Sequence, residues 1–137
     1  MARGSRGVMQ PYDPETAPDR AEWLALAEEE RIGRAMDFHE ASGIEPPNAR
    51  MHAVMHCVVE TQLAQEFVPA VQALKRLRRE GLSRHDAIHA IASVLAEHLH
   101  KLMHGGSTRS AEESNRRYGA ELARLNLRRW QQRYGAR

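Results

Sequence analysis

The stretch NARMHAVMHCVVETQ, residues 48–62, decides how the chain is read. Met51, Val54, Met55, Val58, Val59 and the following Leu63 recur at steps of three and four, the period of one face of an α-helix. Asn48 stands just before them, where its side-chain oxygen can accept a bond from a free amide of the first turn. The helix therefore starts near Ala49. His52 and His56 lie one turn apart on it, and Glu60 follows one turn later, so three side chains with acid/base or ligand chemistry are stacked along one stripe.

Working outward, IEPPN (44–48) is a stiff connector, because each proline restricts itself and the residue before it. Upstream of it, Trp23, Leu24, Ala27, Ile32, Ala35, Met36 and Phe38 form one broad helical arc from Asp19 onward, with Leu26 off the arc. That helix ends at Gly43, placed for a left-handed cap. Residues 1–17 mix Gly, Arg, Ser and three prolines with no apolar period and read as a mobile N-terminal arm. Downstream, Pro69 suits the first turn of a third helix that buries Val71, Leu74 and Leu77 and ends at Gly81. Ser83 with Asp86 opens a fourth helix from Arg84 to about His104, with Ile88, Ile91, Leu95, Leu99 and Leu102 as its stripe and Gly105-Gly106 as its stop. A last helix from Ala111 carries Tyr118, Leu122, Leu125, Trp130 and Tyr134. The expected fold is an all-α bundle of about five helices, one domain over residues 18–137.

Composition agrees with one small core. The 137 residues are 42% hydrophobic and 28% charged, but only 5% aromatic, so the core is alanine-rich and thin. Twenty basic against eighteen acidic residues leave a net charge of +2, too little to call for a polyanionic partner. Cys57 is the single cysteine, which excludes an internal disulfide and favours a reducing compartment. No apolar run approaches the roughly 18 residues of a membrane span, and MARGSRGVMQ at the start has no hydrophobic stretch behind it. A cytoplasmic protein without a membrane partner is expected.

Three of the histidine pairs that the eight histidines make are spaced i, i+4: His52/His56, His85/His89 and His100/His104. Two imidazoles one turn apart can converge on one cation and supply half a coordination shell. If helices two, three and four run up, down and up, helices two and four are parallel, and His52/His56 and His85/His89 both lie in first turns at similar height. Glu60 is about 12 Å along the axis from His52, so all three cannot bind one ion in a regular helix. It is a ligand together with His56, a ligand to a second ion, or an outer carboxylate that fixes an imidazole tautomer. His39 lies on the arc of the first helix and can approach the same place; Asp86 is a weaker outer carboxylate. The candidate metal residues are thus His52, His56, His85, His89 and Glu60, a nitrogen and carboxylate set suited to zinc, iron, nickel or manganese, with no organic cofactor called for.

Two other readings stand beside this one: a histidine-rich polar cluster without metal, and metal-free acid/base catalysis. His100 and His104 need only the helix C-terminus whose dipole they complement. HAVMH lacks the glutamate of H-E-x-x-H, which removes the metalloprotease reading. The basic segments LKRLRRE and LNLRRWQQR keep apolar spacing and nearby acids, so they read as solvated faces rather than as a nucleic-acid surface. Cys57 points about 100° away from His56 and makes no nucleophile pair with it. The thin core leaves apolar stripes that self-association would cover, so a homo-oligomer or interaction module is the alternative to a metal protein.

Three segments, EWLALAEEERIG, IEPPNARMHAVMHCVVETQ and GLSRHDAIHAIASVLAEHL, resemble an uncharacterised family of small bacterial helical proteins. The resemblance covers about residues 22 to 103 and rests on H-x-x-x-H-x-x-V-E-x-Q, here His52, His56, Val59, Glu60 and Gln62, and on R-H-D-A-I-H, here Arg84 to His89. It implies that the two segments form one pattern. It implies no activity, substrate or metal, and it does not reach SNRRYGAELARLNLRRWQQRYGAR.

Overall fold

A computed structural model of the chain describes residues 11–43, 48–105 and 110–135. Residues 1–10 of the expected arm, most of the IEPPN connector and Gly106 lie outside the described residues. Among the described residues every element is helical: α1 (Arg20–Ala25), α2 (Glu28–Ser42), α3 (Ala49–Ala64), α4 (Val68–Arg79), α5 (Arg84–His104), α6 (Ala111–Ala123) and α7 (Leu127–Tyr134). The class is all-α, as expected, but seven helices stand where about five were read.

The caps that sequence placed are the ones that form. Asn48 sits in the left-handed region at φ 54° and accepts the Met51 amide at 3.2 Å. Ser83 accepts the Asp86 amide at 3.1 Å to start α5. Gly43, at φ 78°, closes α2 in a conformation a side chain disfavours. Pro69 stands in the first turn of α4, where a missing N–H costs nothing.

The two additional breaks have one cause. Both predicted long helices are interrupted where an arginine takes over the carbonyls that the interruption frees. Leu26 leaves the helix with extended ψ of 146°, and Arg31 donates to Trp23 O at 3.0 Å and Leu24 O at 3.1 Å. Glu30 accepts the Ala27 amide at 3.3 Å on the other side of the break. Between α6 and α7, Arg76 of α4 donates to Leu122 O at 3.3 Å and Leu125 O at 2.6 Å, while Asn126 caps α7 by accepting the Arg129 amide. Leu26, the residue off the predicted arc, marks the first break; Asn126, a capping residue, marks the second.

Packing divides into two groups. Leu77 of α4, Ile88, Ile91 and Leu95 of α5, Leu122 of α6, Leu125 of the α6–α7 link and Trp130 of α7 form the larger one with Val59 of α3. Tyr12, Trp23, Ile32, Ala35, Ala53 and Cys57 form the smaller one, where alanines let α2 approach α3 closely. Met51 and Leu99, expected in apolar stripes, are exposed near helix ends. Residues 11–17 make no regular element, yet Tyr12 and Pro14 are buried, so this part of the arm is packed on the bundle.

Candidate metal centre

Five imidazoles from three helices meet in one place. α2 contributes His39 from its last turn, α3 contributes His52 and His56, and α5 contributes His85 and His89. His39, His52 and His56 can each offer a ligand atom such that all three lie within 4.8 Å of one another, and so can His56, His85 and His89. His56 belongs to both trios. Ring centroids lie 4.3 Å apart for His85 and His89, 4.5 Å for His39 and His52, and 5.0 Å for His56 with His39, His52 and His89. The two histidine pairs therefore do meet edge to edge, but not by the expected parallel alignment. His56 meets His89, whereas Glu60, one turn further along α3, meets Arg84, five residues earlier on α5. That contact order is the reverse of a parallel pair.

Hydrogen bonding fixes which nitrogens face inward. His39 Nδ1 donates to Ala35 O, one turn back, at 2.8 Å, which leaves Nε2 as the lone-pair atom. That Nε2 is buried without a hydrogen-bond partner, and so is Nε2 of His85. Tyr12 gives its hydroxyl proton to Glu60 Oε2 at 2.6 Å, so its oxygen accepts from Nδ1–H of His56 at 3.1 Å. His56 Nε2 is consequently a lone pair as well, 3.1 Å from Nε2 of His89. Two nitrogens each about 2.0–2.1 Å from one ion lie about 2.8–3.4 Å apart for bond angles between about 90° and 109°. The His56 and His89 nitrogens are already at that separation.

Glu60 belongs to neither trio and is held by other side chains. Its carboxylate takes a two-pronged ion pair from Arg84, 2.8 Å to Oε1 and 2.9 Å to Oε2, together with the Tyr12 hydroxyl. Both residues are buried, and Arg84 spends a further N–H on Pro14 O at 3.0 Å. Of the three roles sequence left open for Glu60, these bonds fit the outer carboxylate, acting on His56 through Tyr12. A buried pair of this kind contributes little net stability, because the cost of desolvating both charges offsets much of their attraction.

Burial sets the protonation of the cluster. Desolvation, and after it the charges of the neighbouring imidazoles, push His56 down to about 2 and His89 down to about 4, and His52 and His85 are lowered mainly by burial. These rings are neutral at pH 7. The unfolded chain takes up protons near the ordinary histidine value of about 6.5, while folded His56 stays neutral far below it. Stability from this source is complete above about pH 6.5 and falls as pH drops from there through 4, at about 1.4 kcal/mol per pH unit for each histidine held neutral. Chelator-treated protein should show a lower urea midpoint at pH 5.5 than at pH 7.5; an equal or higher midpoint would mean the rings are solvated.

The other sequence candidates fall elsewhere. His100 and His104 stack on each other at 4.2 Å on the exposed end of α5 and join neither trio. Cys57 is buried, with its thiol pushed up to about 12 by desolvation and then by Glu60, and it belongs to neither trio. Among the basic residues of α4 and α7, Arg76 and Arg78 donate to backbone carbonyls and Arg133 pairs with Glu97. Tyr12 was missed by sequence reasoning because it stands in a proline-rich stretch with no period, and Arg84 because its partner lies 24 residues away. The only sequence signals were His39 on the first arc and Arg84 within R-H-D-A-I-H.

No family model, curated protein or solved structure matches the chain. Among the described residues no helix is long and apolar enough to cross a membrane.

Proposed function

We propose that this protein binds a single transition metal ion through the histidine cluster of α2, α3 and α5. The observation that carries the reading is a set of buried ring nitrogens with nothing to bond: Nε2 of His39, a lone pair, and Nε2 of His85 are buried and unpartnered, beside the close His56 and His89 nitrogens. Leaving a buried polar atom unsatisfied costs about 1–3 kcal/mol each, and an ion would satisfy several at once. A ligand set of neutral imidazoles suits zinc, nickel, iron or copper; manganese loses support because Glu60 is held by Arg84. His39 at the C-terminal end of α2 offsets in part the unfavourable field that the starts of α3 and α5 present to a cation. His52, His85 and His89 are only half buried, which leaves one side of the centre accessible to a water or a small substrate.

The two motifs that carry the family resemblance supply four of the five rings and the Glu60–Arg84 pair, which supports reading them as one functional pattern. The metal-free alternative also has an observation behind it, since Nε2–H of His89 can donate to His56. It leaves the His39 and His85 nitrogens unexplained. Self-association has weaker support: the exposed apolar residues Leu24, Met51, Val68, Leu99 and Met103 are spread over α1, α3, α4 and α5.

Calorimetric titration of chelator-stripped, tag-free protein with zinc tests the proposal. One saturable equivalent per chain is expected. Only weak binding, unchanged on replacing the central histidines, would leave the polar cluster as the better account.

A further inference from the structure

Three residues of the 11–17 segment are hydrogen-bonded to the histidine cluster or to the ion pair behind it. Tyr12 bonds Glu60 and His56; Pro14 O receives Arg84; Glu15 Oε1 accepts the backbone amide of His85 at 3.3 Å. A loop that served only to cover apolar surface would not need polar anchors on three residues of one site. The Tyr12 ring is also wedged against Trp23 and Phe38, with centroids 5.7 and 6.3 Å away, so its hydroxyl is aimed rather than free to turn. On its outer side the segment borders a cleft of about 330 Å³, reaching Pro18, Trp23 and Arg34, so it is not packed on both faces.

We infer that residues 11–17 are a strap that closes the metal centre, with Tyr12 as the positioning residue that holds His56 in its ligating tautomer. The inference rests on the metal reading above and extends it to how the ion is retained. Because the Tyr12 proton is committed to Glu60, the phenol oxygen can only accept from His56 Nδ1–H, and Nε2 is kept as the lone pair that faces the ion. Lifting the strap removes that constraint, loosens the Glu60–Arg84 pair and withdraws the contact behind His85 in one movement. Release of the ion then waits on strap opening.

Tyr12→Phe isolates the hydroxyl, since the ring that packs on Trp23 and Phe38 is retained. The full-length protein is loaded with zinc, mixed with excess chelator and followed with a zinc indicator; a cobalt-loaded sample gives the visible spectrum. Tyr12→Phe should release zinc about 10–100-fold faster than wild type and shift the cobalt bands, as expected when an outer partner of a ligand is lost. Amide exchange over residues 12–17 of wild type should slow on zinc loading, a readout that needs no variant. Equal release rates with an unchanged cobalt spectrum, or exchange at 12–17 indifferent to zinc, would overturn the strap while leaving the metal centre standing. A wild type that retains no zinc would overturn both.

Discussion

Zinc at about 100 times its dissociation constant is expected to stabilise the wild-type protein by about 2.7 kcal/mol, and His56→Ala/His89→Ala is expected to gain nothing measurable. The double variant removes the ring common to both trios and the nitrogen already nearest to it. What is left, His39 and His52 on one side and His85 on the other, no longer surrounds a point. Truncating one buried and one half-buried side chain lowers stability by itself, so the comparison is the zinc increment within each protein rather than the difference between proteins. His100→Ala/His104→Ala serves as the matched control, because that pair is exposed and remote; it should keep the full increment. Thermal or urea unfolding with and without zinc gives both numbers, and an equal increment in the two double variants would place the ion on the surface.

Arg84→Met is the second large effect. It leaves Glu60 buried, with the Tyr12 hydroxyl as its remaining partner, and frees the Pro14 carbonyl. Stranding one member of a buried ion pair typically costs about 3–5 kcal/mol, far more than the pair contributes when intact. In a chain of this size that corresponds to a fall of about 10–17 °C in Tm. Glu60→Gln/Arg84→Met should recover part of the loss, because a neutral amide is easier to leave unpaired than a charge. A loss below about 1 kcal/mol in Arg84→Met would mean that water reaches Glu60 and that the pair does not brace the histidines.

The legible part of this protein was local. Helix starts at Asn48 and Ser83, the stop at Gly43 and the pairing of His52 with His56 and of His85 with His89 each depend on residues within one or two turns, and these formed as read. The meeting of the two pairs was anticipated, though by a parallel alignment that the contacts reverse. What sequence did not disclose depends on partners far along the chain. Arg76 takes the carbonyls at the end of α6 from 46 residues away, so before α7 the sequence offers only the capping residue Asn126 as a sign of the break. Glu60 looked like a ligand because its competing partners, Arg84 and Tyr12, lie 24 and 48 residues off. His39 lacks an i+4 companion, and only the close approach of α2 to α3 across Ala35 and Ala53 makes it part of the cluster.

The most direct measurement is the metal content of tag-free protein after zinc loading and removal of excess ion by gel filtration. About one zinc per wild-type chain, and essentially none in His56→Ala/His89→Ala, is the result this account predicts. Equal content in the two proteins, or a wild-type chain that comes through metal-free, would contradict it.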